Sequence, residues 1–163
     1  AEDAKLSVEH GADVVYVSNH GGRQLDHAQG TIEVLPEVVA AVDGRAEILW
    51  DGGVLRGTDV VKALCLGARA VGVGKMLGWA LGAAGEAGLK RMLELMDLEI
   101  RTAMGLMGIT SLAQLNPSWV RPAQCCGTGW SRAPRRRRLC GSWITASKPV
   151  RPGSPTANAW PRT

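Results

Sequence analysis

Three short apolar runs, each followed by a glycine-bearing loop and a stretch with helical spacing, constrain the fold of this chain most. The runs cover residues 14–18, 47–50 and 70–73, and their length and β-branched content are typical of buried strands. Helices are predicted over residues 2–10, 31–42, 58–66, 86–104 and 111–115. Strands that alternate with helices form parallel sheets with right-handed crossovers. The order therefore predicts an α/β fold, either a doubly wound sheet or a (β/α)8 barrel.

The end of the first run carries the residues most suggestive of chemistry. Ser18-Asn19-His20 ends the strand, and Gly21-Gly22 then takes the backbone through conformations that most residues avoid. His20 is a general-base type and Arg23 a carboxylate-binding type, so together they suit oxidation of a 2-hydroxy acid. The alternative is that His20 is structural and the glycine pair is only a turn.

The next two strand ends resemble phosphate-binding loops. Residues 51–57 read Asp-Gly-Gly-Val-Leu-Arg-Gly, and residues 72–75 read Gly-Val-Gly-Lys. Glycine lets backbone N–H groups approach an anion, and the N-terminus of the following helix adds its positive dipole end. Lys75 or Arg56 would supply the formal charge. Two such loops directly after a His/Arg unit predict a phosphate site at one edge of the sheet.

Charge divides the chain into two unlike parts. Through Glu99 there are nine Lys and Arg against fifteen Asp and Glu, a net of −6, and after Glu99 there are ten Lys and Arg and no acidic residue. From about Pro122 onward Gly, Pro, Arg and Trp occur without period, with a run of arginines at 135–138. One interpretation is a tail that binds RNA or phosphate. The others are a disordered extension or translation in a wrong reading frame.

Length and cysteine content limit which classes of protein the chain can belong to. The 163 residues suffice for one domain, no apolar run approaches the roughly 18 residues of a membrane span, and the N-terminus resembles an interior segment of a longer chain. Cys65 is expected in the core. Cys125, Cys126 and Cys140 show neither zinc spacing nor a disulfide framework. We expect a cytoplasmic protein without a metal.

Five stretches of the chain resemble a known family. They are Ser-Asn-His-Gly-Gly-Arg-Gln-Leu-Asp (18–26), Asp-Gly-Gly-Val (51–54), Arg-Gly-Thr-Asp-Val-Val-Lys-Ala-Leu (56–64), Leu-Gly-Ala (66–68) and Gly-Glu-Ala-Gly (85–88). Together they are similar to the FMN-dependent 2-hydroxy acid dehydrogenase/oxidase family, whose members include glycolate oxidase and lactate oxidase. The similarity is dense over residues 1–120.

The resemblance implies a fold and roles for individual residues. The fold is a TIM (β/α)8 barrel, of which the three strands here would be the sixth, seventh and eighth. His20 matches the base that removes the proton of the substrate hydroxyl, and Arg23 matches the arginine that binds the substrate carboxylate. Asp26 would hold that loop in place. The residues implied to bind FMN are Ser18, Asp51, Gly52, Gly53, Val54, Leu55, Arg56, Gly74 and Lys75.

Two residues depart from the family pattern, which commonly has arginine at both positions. Leu55 offers only its backbone N–H, and Lys75 keeps the charge but loses the planar fork that grips phosphate bidentately. We therefore expect FMN binding in an intact barrel to be weakened and retained.

The larger departure is the part of the family pattern that this chain lacks. A barrel needs about 250 residues, so residues 1–120 are predicted to be its C-terminal part, inactive alone, and residues 121–163 a low-order tail. The implied partners are a small 2-hydroxy acid, the N-terminal half of the barrel and, in the intact enzyme, further copies. Alternatives are another FMN or nucleotide-monophosphate barrel, a non-catalytic remnant, or a nucleic-acid-binding module that uses the basic tail. The Arg23 clamp argues against the first of these, because it predicts a carboxylate substrate.

Overall fold

Three parallel strands and the helices between them make up most of the described structure, a computed structural model that covers residues 1–122 and 143–145. The helices are α1 (Glu2–Glu9), α2 (Thr31–Val42), α3 (Gly57–Cys65) and α4 (Lys75–Met107). The strands are β1 (Val14–Val17), β2 (Glu47–Trp50), β3 (Ala70–Val71), β4 (Val120–Pro122) and β5 (Trp143–Thr145). Single 3-10 turns cover His20–Gly22, Leu112–Gln114 and Pro117–Trp119.

The sheet has the order β1-β2-β3, with both pairs parallel. Val17 lies opposite Trp50, and Trp50 lies opposite Val71. Each strand is followed by a loop and a helix, which is the arrangement that parallel pairing requires. The predicted α/β fold with a parallel sheet is confirmed, and the register brings the carboxyl ends of all three strands to one edge.

The hydrophobic core lies between one face of this sheet and the helices. Val17, Ile48 and Trp50 point to that face and are buried. The side chains that meet them from α2 and α3 include the fully buried Leu35, Val42, Val61 and Cys65. On the opposite face Val14 is 46% and Tyr16 54% exposed. Parallel sheets normally have both faces covered. Here the face that carries Val14 and Tyr16 is open to solvent.

Helix α4 differs most from its predicted extent of 86–104. It begins at Lys75 and is broken at Ala84 (φ −155°) and Gly85 (φ 56°, ψ −138°), so that it consists of two helices. The first of these was not predicted, because Gly78 and Gly82 lower its helix propensity. Packing of Met76 and Ala80 against the core compensates.

Two shorter elements also differ from expectation. The helix predicted over 111–115 is a single 3-10 turn in which Ser111 and Gln114 cap each other: the Ser111 hydroxyl accepts from the Ala113 amide, and the Gln114 side chain accepts from the Ser111 amide at 3.2 Å. The third strand is two residues long instead of four. Both elements are too short for sequence periodicity to define their ends.

Part of the predicted low-order tail is a strand. Strand β5 pairs antiparallel with β4, and Arg121 lies opposite Ile144. The arginine run and the three cysteines of the tail lie outside the described residues, so their predicted properties stay predictions. No helix in the described part of the chain is long and apolar enough to cross a membrane.

Candidate active site

A cleft with a volume of about 630 Å3 lies at the carboxyl ends of the three strands. Its walls are the loops that follow β1, β2 and β3, together with the start of α2. Of the residues predicted to bind cofactor, those on its wall are Asp51, Gly52, Gly53, Val54, Leu55, Gly74 and Lys75. The structure therefore brings the two predicted phosphate loops together on one surface.

The loop after β2 is shaped by its two glycines. Gly52 (φ 109°) and Gly53 (φ 79°) both adopt backbone conformations that side chains disfavour. A Cβ at Gly52 would also overlap the hydroxyl of Thr31, which donates a hydrogen bond to the Asp51 carbonyl. Val54 then enters the core and is 6% exposed. The loop is thus fixed at both ends, with its glycine backbone facing the cleft.

Beyond Val54 the structure differs from expectation. The Leu55 amide, expected at the phosphate, donates to Asp59 Oδ2 at 3.1 Å, and the Arg56 amide donates to the same oxygen. The Arg56 guanidinium pairs with Glu99 Oε1 of α4 at 3.1 Å, and Arg56 does not line the cleft. The carboxylates of Asp59 and Glu99 thus bind the loop and the N-terminus of α3, because the free N–H groups of a helix N-terminus attract negative charge.

Two lysines bring positive charge to the cleft. Lys75 follows Gly74 at the first position of α4, and its Nζ donates to the Gly21 carbonyl at 2.8 Å. Lys62 of α3 also lines the cleft and pairs with Asp59 at 3.2 Å. Sequence reasoning missed Lys62, although it lies within the Arg-Gly-Thr-Asp-Val-Val-Lys motif and its spacing from Asp59 marks an (i, i+3) pair.

The loop that carries His20 and Arg23 borders the cleft without placing either side chain on its wall. Both residues are exposed, whereas Gly21 and Gly22 of the same loop do line the cleft. Ser18, a predicted flavin contact, accepts a hydrogen bond from the His20 amide at 3.1 Å. The His20 ring nitrogen Nδ1 lies 3.0 Å from the Gln24 amide nitrogen, so that Gln24 orients the imidazole.

A tyrosine that sequence reasoning did not single out contacts the second loop. The Tyr16 hydroxyl donates to Asp51 Oδ2 at 3.0 Å. That hydrogen bond, with smaller contributions from burial and from the Asp51 charge, raises the pKa of Tyr16 above its ordinary value. A Cβ at Gly72 would overlap the phenol oxygen. The sequence signal for this pair is that Tyr16 stands near the end of one predicted strand and Asp51 directly follows another.

Buried polar atoms without partners indicate that the cleft receives a polar ligand. In the described part of the chain these atoms are Asn19 Oδ1, Trp50 Nε1 and Asp51 Oδ1. All three residues line the cleft. Buried donors and acceptors are normally satisfied, so each such atom calls for an explanation. A ligand with both hydrogen-bond donors and acceptors would satisfy all three. Among the same described residues no group of His, Cys, Asp and Glu could hold a metal ion.

Comparison with known proteins decides between the families that this geometry allows. Residues 1–122 match the family model described as FMN-dependent dehydrogenase. The chain belongs to this family. L-lactate oxidase of Nostoc sp. is 47% identical over 119 residues, which are 73% of this chain and 33% of that protein. 4-Hydroxymandelate oxidase of Amycolatopsis orientalis is 55% identical over 111 residues, 68% of this chain and 31% of that protein.

Solved structures of relatives agree with these matches. A crystal structure of mandelate oxidase with benzoyl-formic acid superimposes with a TM-score of 0.66 at 54% identity, covering 69% of this chain and 33% of that one. The chain therefore spans about a third of the length of the relatives it matches. The predicted family, its FMN cofactor and its class as oxidoreductases are confirmed.

The cleft suits the polar part of FMN, the cofactor of this family. Phosphate oxygens require donors and positive charge, which Lys75, Lys62 and the glycine backbone provide. Ribityl hydroxyls both donate and accept, so they match the unpartnered oxygens of Asp51 and Asn19 and the indole N–H of Trp50. The residues present therefore fit the phosphate and ribityl groups of the family's cofactor.

Titration of Tyr16 tests the contact between the first two strand ends. Tyr16 is the chain's single tyrosine, so phenolate absorbance reports it alone. We expect Asp51→Ala to lower its pKa, because the neutral phenol loses its acceptor and the nearby negative charge. The hydrogen bond thus stabilises the fold below the ordinary tyrosine pKa, and this contribution is lost as pH rises through the raised value. Asp26→Ala, an exposed change elsewhere, should leave the titration unchanged. Equal curves for the parent and Asp51→Ala would contradict the contact.

Proposed function

We propose that this chain forms the FMN phosphate site and the substrate-activating loop of an enzyme that oxidises an L-2-hydroxy acid to the 2-oxo acid. The observation that carries the proposal is the convergence of three strand-end loops on one cleft, with Asp51–Gly53 and Lys75 on its wall and the His20 loop at its rim. In (β/α)8 enzymes the loops after the last two strands frequently bind phosphate. The three units would then be the sixth, seventh and eighth of such a barrel.

In this proposal different residues of the cleft bind different parts of the cofactor. The glycine backbone at Gly52, Gly53 and Gly74, with the Lys75 ammonium, would hold the phosphate. Asp51 would accept from the ribityl chain and Ser18 would contact the flavin. Arg56 contributes by keeping the loop in place, because its guanidinium is engaged by Glu99. When bound, FMN would supply the oxidant, which would take up the two electrons and the hydrogen of the substrate C–H bond.

The substrate steps fall to His20 and Arg23. The imidazole of His20 takes the proton of the substrate hydroxyl as general base. The Arg23 guanidinium binds the substrate carboxylate through two parallel hydrogen bonds, which fixes the hydroxyl in reach of the base. Exposure of both side chains is consistent with a site that further barrel units would cover.

The uncovered sheet face supports the need for the other barrel units. Val14 and Tyr16 lie on that face at 46% and 54% exposure, and β1 and β3 each pair with one strand of the described sheet. We propose that five preceding units cover the face and complete the substrate pocket, so that the chain alone does not turn over substrate. Residues 1–120 would be the catalytic part, and residues 121–163 would take no part in the chemistry.

A chimera tests this function directly. Residues 1–122 replace the matching third of the Amycolatopsis 4-hydroxymandelate oxidase, which is 55% identical over 111 residues. We expect the purified chimera to carry flavin and to oxidise the host enzyme's substrate, because the side-chain pocket comes mainly from the host. The measurements are the flavin-to-protein ratio and the rate of 2-oxo acid formation. A folded chimera without flavin would contradict the cofactor assignment, and one with flavin but no turnover would contradict the roles of His20 and Arg23.

A further inference from the structure

Lys75 joins the phosphate site to the loop that carries the proposed base. Its Nζ donates to the Gly21 carbonyl at 2.8 Å, although the two residues are 54 positions apart in sequence. The side-chain stem also lies against Gly21, since a Cβ there would stand 3.1 Å from Lys75 Cε. The contact therefore links the start of α4 to the turn directly after His20.

The loop that Lys75 contacts has an unusual backbone. His20 (φ 53°), Gly21 (φ 67°) and Gly22 (φ 71°) are three successive residues in left-handed conformations, and His20 is not a glycine. Such a conformation persists in a non-glycine residue only when the surroundings enforce it.

The hydrogen bonds inside this loop are local. The Gly22 amide donates to the Asn19 carbonyl at 2.9 Å, and the His20 amide donates to Ser18 Oγ. Among the hydrogen bonds of the described residues, the one that reaches His20–Gln24 from another element comes from Lys75.

We propose that Lys75 is a positioning residue for His20, in addition to its place at the phosphate site. An ammonium group has three donors, so one can hold the Gly21 carbonyl while the others bind an anion in the cleft. An anion that restrains Lys75 therefore also restrains the turn after His20. By linkage, a fixed turn favours binding of the anion to the same extent. We call the hydrogen bond from Lys75 to the Gly21 carbonyl the brace. The identity of the anion rests on the proposed function, whereas the brace itself does not.

Limited proteolysis of the full 163-residue chain tests the brace. Trypsin cleaves after Arg23 in the exposed loop, and cleavage after Arg45, in the exposed turn that follows α2, serves as an internal reference for changes elsewhere in the protein. We expect Lys75→Met to raise the cleavage rate at Arg23, relative to Arg45, about threefold to tenfold, as the loss of one exposed hydrogen bond of ordinary net strength predicts. Lys75→Arg keeps a donor and should stay within about twofold of the parent. Arg91→Met, which removes an exposed ion pair on α4, should change neither rate.

A second arm uses FMN as the probe. Saturating FMN should slow cleavage at Arg23 in the parent and have no such effect in Lys75→Met. An unchanged Arg23 rate in Lys75→Met, or an equal rise at Arg45, would overturn the inference whatever FMN does. FMN that leaves the parent rate unchanged would count against the phosphate assignment, while the rise in Lys75→Met would still support the brace.

Discussion

Replacing His20 by alanine in the chimera should lower kcat/KM for the 2-hydroxy acid by about 10²- to 10⁴-fold, the usual contribution of a positioned general base. The methyl group of alanine cannot accept the hydroxyl proton, and no other imidazole lies on this loop except His27, whose side chain is 93% exposed. Flavin content should not change, because His20 does not line the cleft. The measurement is steady-state oxidation, normalised to bound flavin.

His27→Ala is the matched control for this prediction. His27 also has a left-handed backbone (φ 60°) and belongs to the same exposed loop, so its replacement tests the loop without the proposed chemistry. We expect its kcat/KM to stay within about twofold of the parent, as for surface changes away from special features. A loss of less than tenfold in His20→Ala, or similar losses in both variants, would show that His20 is not the base.

The elements that sequence reasoning placed well are those with a clear period and a clear end. Helix α2 and strand β2 have the predicted bounds, 31–42 and 47–50. Asp43 ends α2 in a left-handed conformation (φ 50°), a common way for a helix to end. The glycine loops at residues 51–53 and 74 also lie on the cleft, because parallel strands necessarily bring their carboxyl ends to one edge.

The contacts that sequence reasoning missed join side chains far apart in the chain. Tyr16 meets Asp51 across 35 positions, and Arg56 meets Glu99 across 43. No local pattern encodes such pairs, since they depend on how helices and loops pack around the sheet. Arg56 shows the consequence: its charge suggested a phosphate ligand, but its guanidinium pairs with a carboxylate on α4 instead. The sequence identified Arg56 as a source of positive charge, whereas tertiary packing determined that its partner is Glu99.

Replacing Gly57 by alanine should reduce the free energy of unfolding by about 1–3 kcal/mol, the usual cost of overpacking. Gly57 is the first residue of α3, and a Cβ there would overlap the Met96 carbonyl and stand 2.8 Å from Ile100 N and Glu99 Cβ of α4. Two of these atoms are backbone, so the clash can be relieved only by moving one helix away from the other. That movement would also weaken the bond from the Gly57 amide to Glu99 Oε2, now 2.7 Å long.

Helix propensity makes the sign of this result informative. Alanine is the better helix former by about 1 kcal/mol, so without close packing Gly57→Ala would stabilise the protein. Gly105→Ala provides that comparison, because Gly105 lies inside α4 and a methyl group there would meet nothing within 4 Å. We expect urea unfolding at a lower midpoint for Gly57→Ala and at a higher one for Gly105→Ala, with unchanged slopes. Higher midpoints in both variants would mean that α3 and α4 are not in close contact at Gly57. The hydrogen bonds from Arg56 and Gly57 to Glu99, which depend on that contact, would then lose their basis.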